Sequence, residues 1–158
     1  MRQQVFSWRD KFHIKDERGD DRYYVEGEIF ALGKKLHVFD SAGREVAFIR
    51  QKLLALLPKY YIEIGGGTIE IVKEFTLLKP RFRFNGLPWT LQGDFWAHEY
   101  TLSDGGRVVM QLSKRWLTWG DTYELDIADT NNELLCLCVA LAVDCVLDNA
   151  EQARRSSH

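Results

Sequence analysis

The stretch ELLCLCVALAVDCVLD, Glu133 to Asp148, limits the folds open to this chain more than any other. Wound as a helix, it puts Leu134, Leu135, Leu137, Val139, Leu141, Val143, Val146 and Leu147 on every side. A helix apolar all round is buried all round. Its uncharged run, Leu134 to Val143, is ten residues long before Asp144 intervenes, against about twenty for a bilayer span. Asp144 and Asp148 add to the cost of a lipid setting. The expectation is a helix from Glu133 to about Asn149 enclosed by protein, with Asn131 or Asn132 capping it and Glu133 at its positive end.

What encloses it is read from the rest of the chain, which alternates. KFHIK sets Phe12 and Ile14 on one face, KLHVF sets Leu36 with Val38, TIEIVKEF sets Ile69, Ile71 and Lys73, and TYELDI sets Tyr123, Leu125 and Ile127. RFRF, Arg81 to Phe84, alternates strictly. Period two marks half-buried strands, and about a dozen such segments suit a barrel or sandwich. DERGD, DSAGRE, GGGT and SDGGR separate them, with Gly supplying positive φ and Asp or Ser binding nearby amides. Gly65–Gly67 could be a phosphate cradle, but no helix pattern or following Lys supports that, so a hairpin turn is expected. RQKLLALLPKYY, Arg50 to Tyr61, interrupts the alternation. It reads as a connector over one end of the sheet, stopped by Pro58, in preference to a small membrane-touching element flanked by Lys52 and Lys59.

The chain also echoes itself: FSWRDKFHI matches LTWGDTYEL, and DSAGREVAFIRQK matches SDGGRVVMQLSK. Two similar β-halves meeting in one closed sheet would leave no edge strands. The 158 residues suffice for one core and are expected to form a single domain. Five Trp, six Tyr and nine Phe fit large side chains between strands.

Cys136, Cys138 and Cys145 fall inside the apolar segment. Their spacing suits neither a disulfide nor zinc, so they read as small buried hydrophobes. The N-terminus lacks an apolar signal-like run, and with an odd cysteine count the expected setting is cytoplasmic. A net charge of −2 provides no general attraction to nucleic acid.

FSWRDKFHI, GKKLHVFDSAGREVAFIRQKLLALLPKY, GDFWAHEY, KRWLTWGDTYELDI and the apolar C-terminal segment together resemble the LURP-one-related family over about Val5 to Asn149. That family belongs to the tubby C-terminal-like superfamily, which also holds the phospholipid scramblases. The resemblance implies a mainly β (α+β) fold: a closed antiparallel barrel of about twelve strands, about residues 5–130, around a central helix, about 133–149. It also implies, by fold analogy, a non-enzymatic module for phosphoinositide or other anionic lipid headgroups, or another small anionic ligand, at the membrane periphery. A structural or protein-interaction domain without ligand is the alternative, and a carbohydrate-active enzyme comes third.

Basic residues recur where the repeated strands end: Arg50 and Lys52, Lys73, then Lys114 and Arg115. Gathered at one rim, they would suit an anion, Lys as point charge and Arg as planar fork. Trp8 with Asp10 and Trp119 with Asp121, joined by Asp94 beside Trp96, would give a sugar enzyme its paired acids. Asp as turn cap and Trp as packing is the preferred reading. His13 and His37 fall on polar strand faces, and His98 is expected in a surface or strand role. No catalytic set, metal ligand set, cofactor motif or transmembrane segment is expected.

Overall fold

The alternating segments form twelve strands: β1 (Arg2–Phe6), β2 (Lys11–Lys15), β3 (Asp21–Phe30), β4 (Gly33–Asp40), β5 (Glu45–Lys52), β6 (Lys59–Ile64), β7 (Gly67–Glu74), β8 (Arg81–Asn85), β9 (Trp89–Asp94), β10 (Glu99–Asp104), β11 (Arg107–Leu117) and β12 (Gly120–Ile127). One helix, α1 (Glu133–Ser156), follows. This computed structural model describes residues 2–6, 11–30, 33–52, 56–77, 79–117 and 120–157, with side chains described except at 2–6, 11–12, 29–30, 115–122 and 150–154.

Period two in the sequence becomes period two in burial. In β8, Phe82 and Phe84 are buried while Arg81, Arg83 and Asn85 are exposed. Leu36 and Val38, Ile69 and Ile71, and Tyr123, Leu125 and Ile127 all face the core as the alternation requires. The turns use the expected chemistry. Asp16 Oδ1 accepts from the amides of Arg18 and Asp20, and Asp40 Oδ1 from those of Ala42 and Arg44. Gly65 and Gly66, at φ 57° and 78°, make the β6–β7 hairpin turn.

All neighbouring strands pair antiparallel. β2 to β8 form a seven-strand meander, β9 to β12 a four-strand one, and β1 lies between β2 and β12. The closed barrel expected from strand number does not form. The order runs from β8 to β9, and no ladder joins those two end strands among the described residues. Pro80 precedes β8 and Pro88 precedes β9, and neither can donate an amide hydrogen bond at the lips. Arg81 and Arg83 charge the free edge of β8. Aromatic rings bridge the gap where hydrogen bonds do not: Phe82 meets Phe95 edge-on at 5.1 Å, and Phe95 lies 5.8 Å from Tyr100.

The sheet curls around α1, which packs against β5, β6, β7, β11 and β12. Every side chain from Cys136 to Leu147 is buried. The helix runs past Asn149 to Ser156 because AEQARRS contains good helix formers and no Gly or Pro. The 20-residue stretch Thr130–Asn149 is long and apolar enough to cross a membrane by length and composition alone. The short uncharged run therefore does not decide its setting, and enclosure by the sheet is what makes this a core helix. The helix starts at Glu133 as expected, but its cap differs. Asn132 makes no side-chain cap bond; Asp129 instead accepts from the Asn131 amide and opens a 3₁₀ turn, Thr130–Asn132.

Polar contacts fasten both helix ends to strands. Arg22 reaches the buried Glu133 carboxylate with two bonds, Nε–Oε1 at 3.3 Å and Nη2–Oε2 at 3.0 Å. At the far end Lys34 Nζ lies 2.7 Å from Asp148 Oδ2, and Asn149 donates to the Tyr60 hydroxyl at 2.9 Å. The three cysteines are free and buried. Burial pushes the Cys136 and Cys145 thiols up to about 12, and Cys138 further still.

Candidate functional site

Antiparallel pairing sorts the loops into two ends. The tight Asp- and Gly-rich hairpins, 16–20, 41–44, 65–66 and 105–106, collect at one end beside the start of α1. That end is acidic: a recess of 480 Å³ there is lined by Asp21, Glu26 and Asp40 beside Tyr24 and Phe39. Asp40 is held below its usual range, chiefly by the Arg44 amide.

The opposite end gathers the longer connections and most of the basic strand ends. Lys35 pairs across from Arg50, and Lys52 across from Lys59, in the β4–β5–β6 registers. Arg50 and Lys52 stand on the outer face of β5, opposite in direction to the buried Ala47 and Ile49. Arg50 lies 4.5 Å over the Tyr61 ring and donates through Nε to Glu63 at 3.0 Å. Lys52 Nζ is 5.9 Å from the same ring. Lys59 reaches Glu70 at 3.9 Å. Asn85 donates to Glu70 at 2.6 Å and is the main reason that carboxylate sits below its usual range.

Lys73 and Lys114 differ from that outer pair. Lys73 continues the inward register of Ile69 and Ile71, and Lys114 that of Met110 and Leu112. Lys73 lines an open groove of 590 Å³ at this end, with Pro58, Phe75, Lys79, Trp96 and Val146 among its walls. Lys114 sits behind the β9–β10 turn that carries Trp96; its amide donates to the His98 carbonyl at 3.1 Å, and its amine lies 5.7 Å from the Tyr123 ring. Of the five basic residues singled out from sequence, the four whose side chains are described split over two faces of one end. The Arg115 side chain lies outside the described residues, although its backbone pairs with Thr122 in β11–β12. Trp8, Asp10 and Trp119 are also outside the described residues, as is the Asp121 side chain. Asp94 accepts from the amides of Trp96 and Ala97, the role of a turn cap.

Two features of this end depart from the preferred readings, a connector over the sheet end and a surface or strand histidine. The first is apolar exposure. Leu56, Phe75 and Leu77 are 103%, 89% and 96% exposed, and all three line the groove. The segment Leu53–Ala55 is outside the described residues, but Leu56 projects into solvent and covers no core. A signal was present in EFTLL, where apolar residues continue past the alternation of β7 and stop at Lys79–Pro80.

The second is a buried polar group inside the sheet. His98 is only 9% exposed, with a left-handed φ of 54°. Its Nδ1 lies 3.4 Å from Asp144 Oδ1, and its ring meets Tyr123 edge-on at 5.7 Å. Burial raises Asp144 above the usual carboxylate range, opposed by His98 and a hydrogen bond from Tyr123. The Tyr100 hydroxyl is buried without a hydrogen-bond partner among the described residues. A void of 20 Å³ touches Asp144 and Tyr123, space for one water and not for a substrate. The expected surface or strand role for His98 is therefore wrong: a turn residue two before Tyr100 is drawn under the sheet by Asp144 from α1.

Comparison with known proteins agrees with this architecture. The chain is 45% identical over 152 residues to "Uncharacterized protein YxjI" of Bacillus subtilis (strain 168), covering 96% of this chain and 94% of the relative. An Arabidopsis thaliana protein known from X-ray structure shares the fold at a TM-score of 0.61 and 14% identity, over 90% of this chain and 89% of that one. The family model described as LURP-one-related matches residues 1–144, which takes in all twelve strands and most of the buried part of α1. The chain belongs to the LURP-one-related family.

Proposed function

We propose that this chain is a non-enzymatic binding module that takes an anionic ligand at the basic end of its sheet. The observation that carries the reading is the set Lys52, Lys73 and Lys79, gathered at that end without a carboxylate in ion-pair range among the described residues. Arg50, Lys59 and Lys34 are already engaged by Glu63, Glu70 and Asp148. With Lys35 on the outer face beside Arg50, these amines are the ones left to meet an external phosphate or carboxylate, as strongly hydrated point charges. Lys114 flanks the same end from β11. The opposite end, with its acidic recess, would repel such a ligand.

The test separates a free anion from a headgroup. Inositol trisphosphate and inorganic phosphate are titrated calorimetrically, and vesicles of phosphatidylcholine with phosphatidylserine or a phosphoinositide are tested by cosedimentation, each at low and high salt. Binding should weaken as salt rises, because exposed charges are screened within about 10 Å at 0.1 M. Absence of salt-sensitive binding to every one of these probes refutes the reading.

A further inference from the structure

We propose that the basic end docks on an anionic bilayer, with Leu56, Phe75 and Leu77 entering the lipid surface and Lys52, Lys73 and Lys79 at the level of the phosphates. The inference rests on the anionic-ligand reading and names the source of the anion. Scattered exposed apolar residues are ordinary on a protein surface. These three are not scattered. The segments that hold them are joined by the Lys73 amide, which donates to the Pro58 carbonyl at 3.0 Å. They border one open groove together with Trp96, which is 42% exposed.

The side chains project at a strand-end loop, not along a helix face. Three nearly complete side chains in water gain by leaving it, and no polar backbone need follow them deep into hydrocarbon. Trp96 provides an amphipathic ring of the kind that settles at headgroup depth. Among the described residues Glu74 is the one carboxylate lining the groove, and Arg83 stands 4.0 Å from it. Apolar tips ringed by unpaired amines complement a surface that is negative outside and apolar just beneath. The acidic turns at the other end would face away from the membrane.

The buried native cysteines allow a selective test, because a new surface cysteine is the one that labels. An environment-sensitive fluorophore is placed at Leu77→Cys, with Ala42→Cys in the β4–β5 turn at the acidic end as the control. On vesicles containing phosphatidylserine, the probe at position 77 should shift to the blue and the probe at 42 should not move. The variant L56S/F75S/L77S should lose about tenfold or more in vesicle partitioning while binding inositol trisphosphate as before. K52Q, K73Q and K79Q should each lower partitioning about fivefold. All substituted positions are exposed or lie at the groove mouth, and unchanged thermal unfolding confirms that the variants are folded.

Wild-type binding to vesicles with no shift at 77 and no loss in the serine variant overturns insertion but leaves the anionic reading standing. Binding to inositol trisphosphate without binding to vesicles does the same. Binding to neither removes both. If sedimentation shows wild-type self-association that L56S/F75S/L77S abolishes, and vesicles are not bound, the tips are a protein interface and the inference is wrong.

Discussion

Gly93→Ala probes the lip of the open sheet. Gly93 has φ 153°, and a Cβ built there would lie 2.3 Å from the Glu99 carbonyl oxygen and 2.6 Å from Tyr100 Cα. Real Cβ atoms essentially never approach closer than 3.0 Å, so the backbone must yield by at least 0.7 Å. The obstructing atoms are backbone of β10, paired to Gly93 through Tyr100, and no flexible side chain can swing aside. The backbone strain costs about 1–3 kcal/mol. Forcing β9 off β10 loses two ladder bonds at about 0.5–1.5 kcal/mol each. The expected loss is about 4 kcal/mol, a large share of the ~5–15 kcal/mol that holds a domain together. Gly66→Ala isolates the conformational part: φ is 78°, nothing lies within 4 Å, and the expected cost is about 1–2 kcal/mol. Urea unfolding of both variants at a common slope gives the difference directly. A Gly93→Ala loss within about 1 kcal/mol of the Gly66→Ala loss would refute the close-approach argument.

Other consequences concern the helix and its buried groups. Because burial raises Asp144, the folded protein keeps a proton that the unfolded chain gives up near pH ~3.9. The stability tied to that proton is complete below the ordinary carboxylate range and is lost as pH rises through the folded pKa. Denaturation midpoints across that range should therefore fall less steeply in Asp144→Asn than in wild type, and equal slopes would contradict this. Glu133→Gln breaks the two-bond contact with Arg22 and weakens the acid at the helix start. The expected cost is about 1–2 kcal/mol, discounted because Arg22 is half exposed, and a double-mutant cycle with Arg22→Gln that shows no coupling would count against it. Cys136, Cys138 and Cys145 should resist a thiol reagent at pH 8 in the native protein and all react once it is unfolded; prompt native reaction at any of them would mean the helix is less enclosed than described.

Residue order alone made several elements legible, each for a local reason. RFRFN can bury one face only, so β8 follows from alternation. The Asp16 and Asp40 turns follow from side chains that bind amides two residues on. ELLCLCVALAVDCVL has no polar stripe, so a helix apolar all round follows from its composition, while its enclosure by the sheet does not. The grouping of Arg50, Lys52 and Lys73 toward one end follows from strand direction, since hairpins alternate ends. The split of those residues over two faces is harder to read, because it depends on which parity each strand presents at its last residue. The start of α1 falls at Glu133 as its sequence suggests, but a lone Asn only resembles a cap there: the side-chain cap is made by Asp129, before the 3₁₀ turn.

Alternation, turn chemistry and apolar periodicity are interactions between near neighbours, so the sequence by itself determined the strands, the hairpins, the apolar helix and the kinship. Whether the two end strands would meet was decided only in three dimensions, because a ladder between β8 and β9 depends on how the whole sheet coils around α1. The pairing of His98 with Asp144, the straps at Glu133 and Asp148, and the gathering of Leu56, Phe75 and Leu77 along one groove bring together segments far apart in the chain. Contacts of that kind leave no periodic trace in the residues that make them.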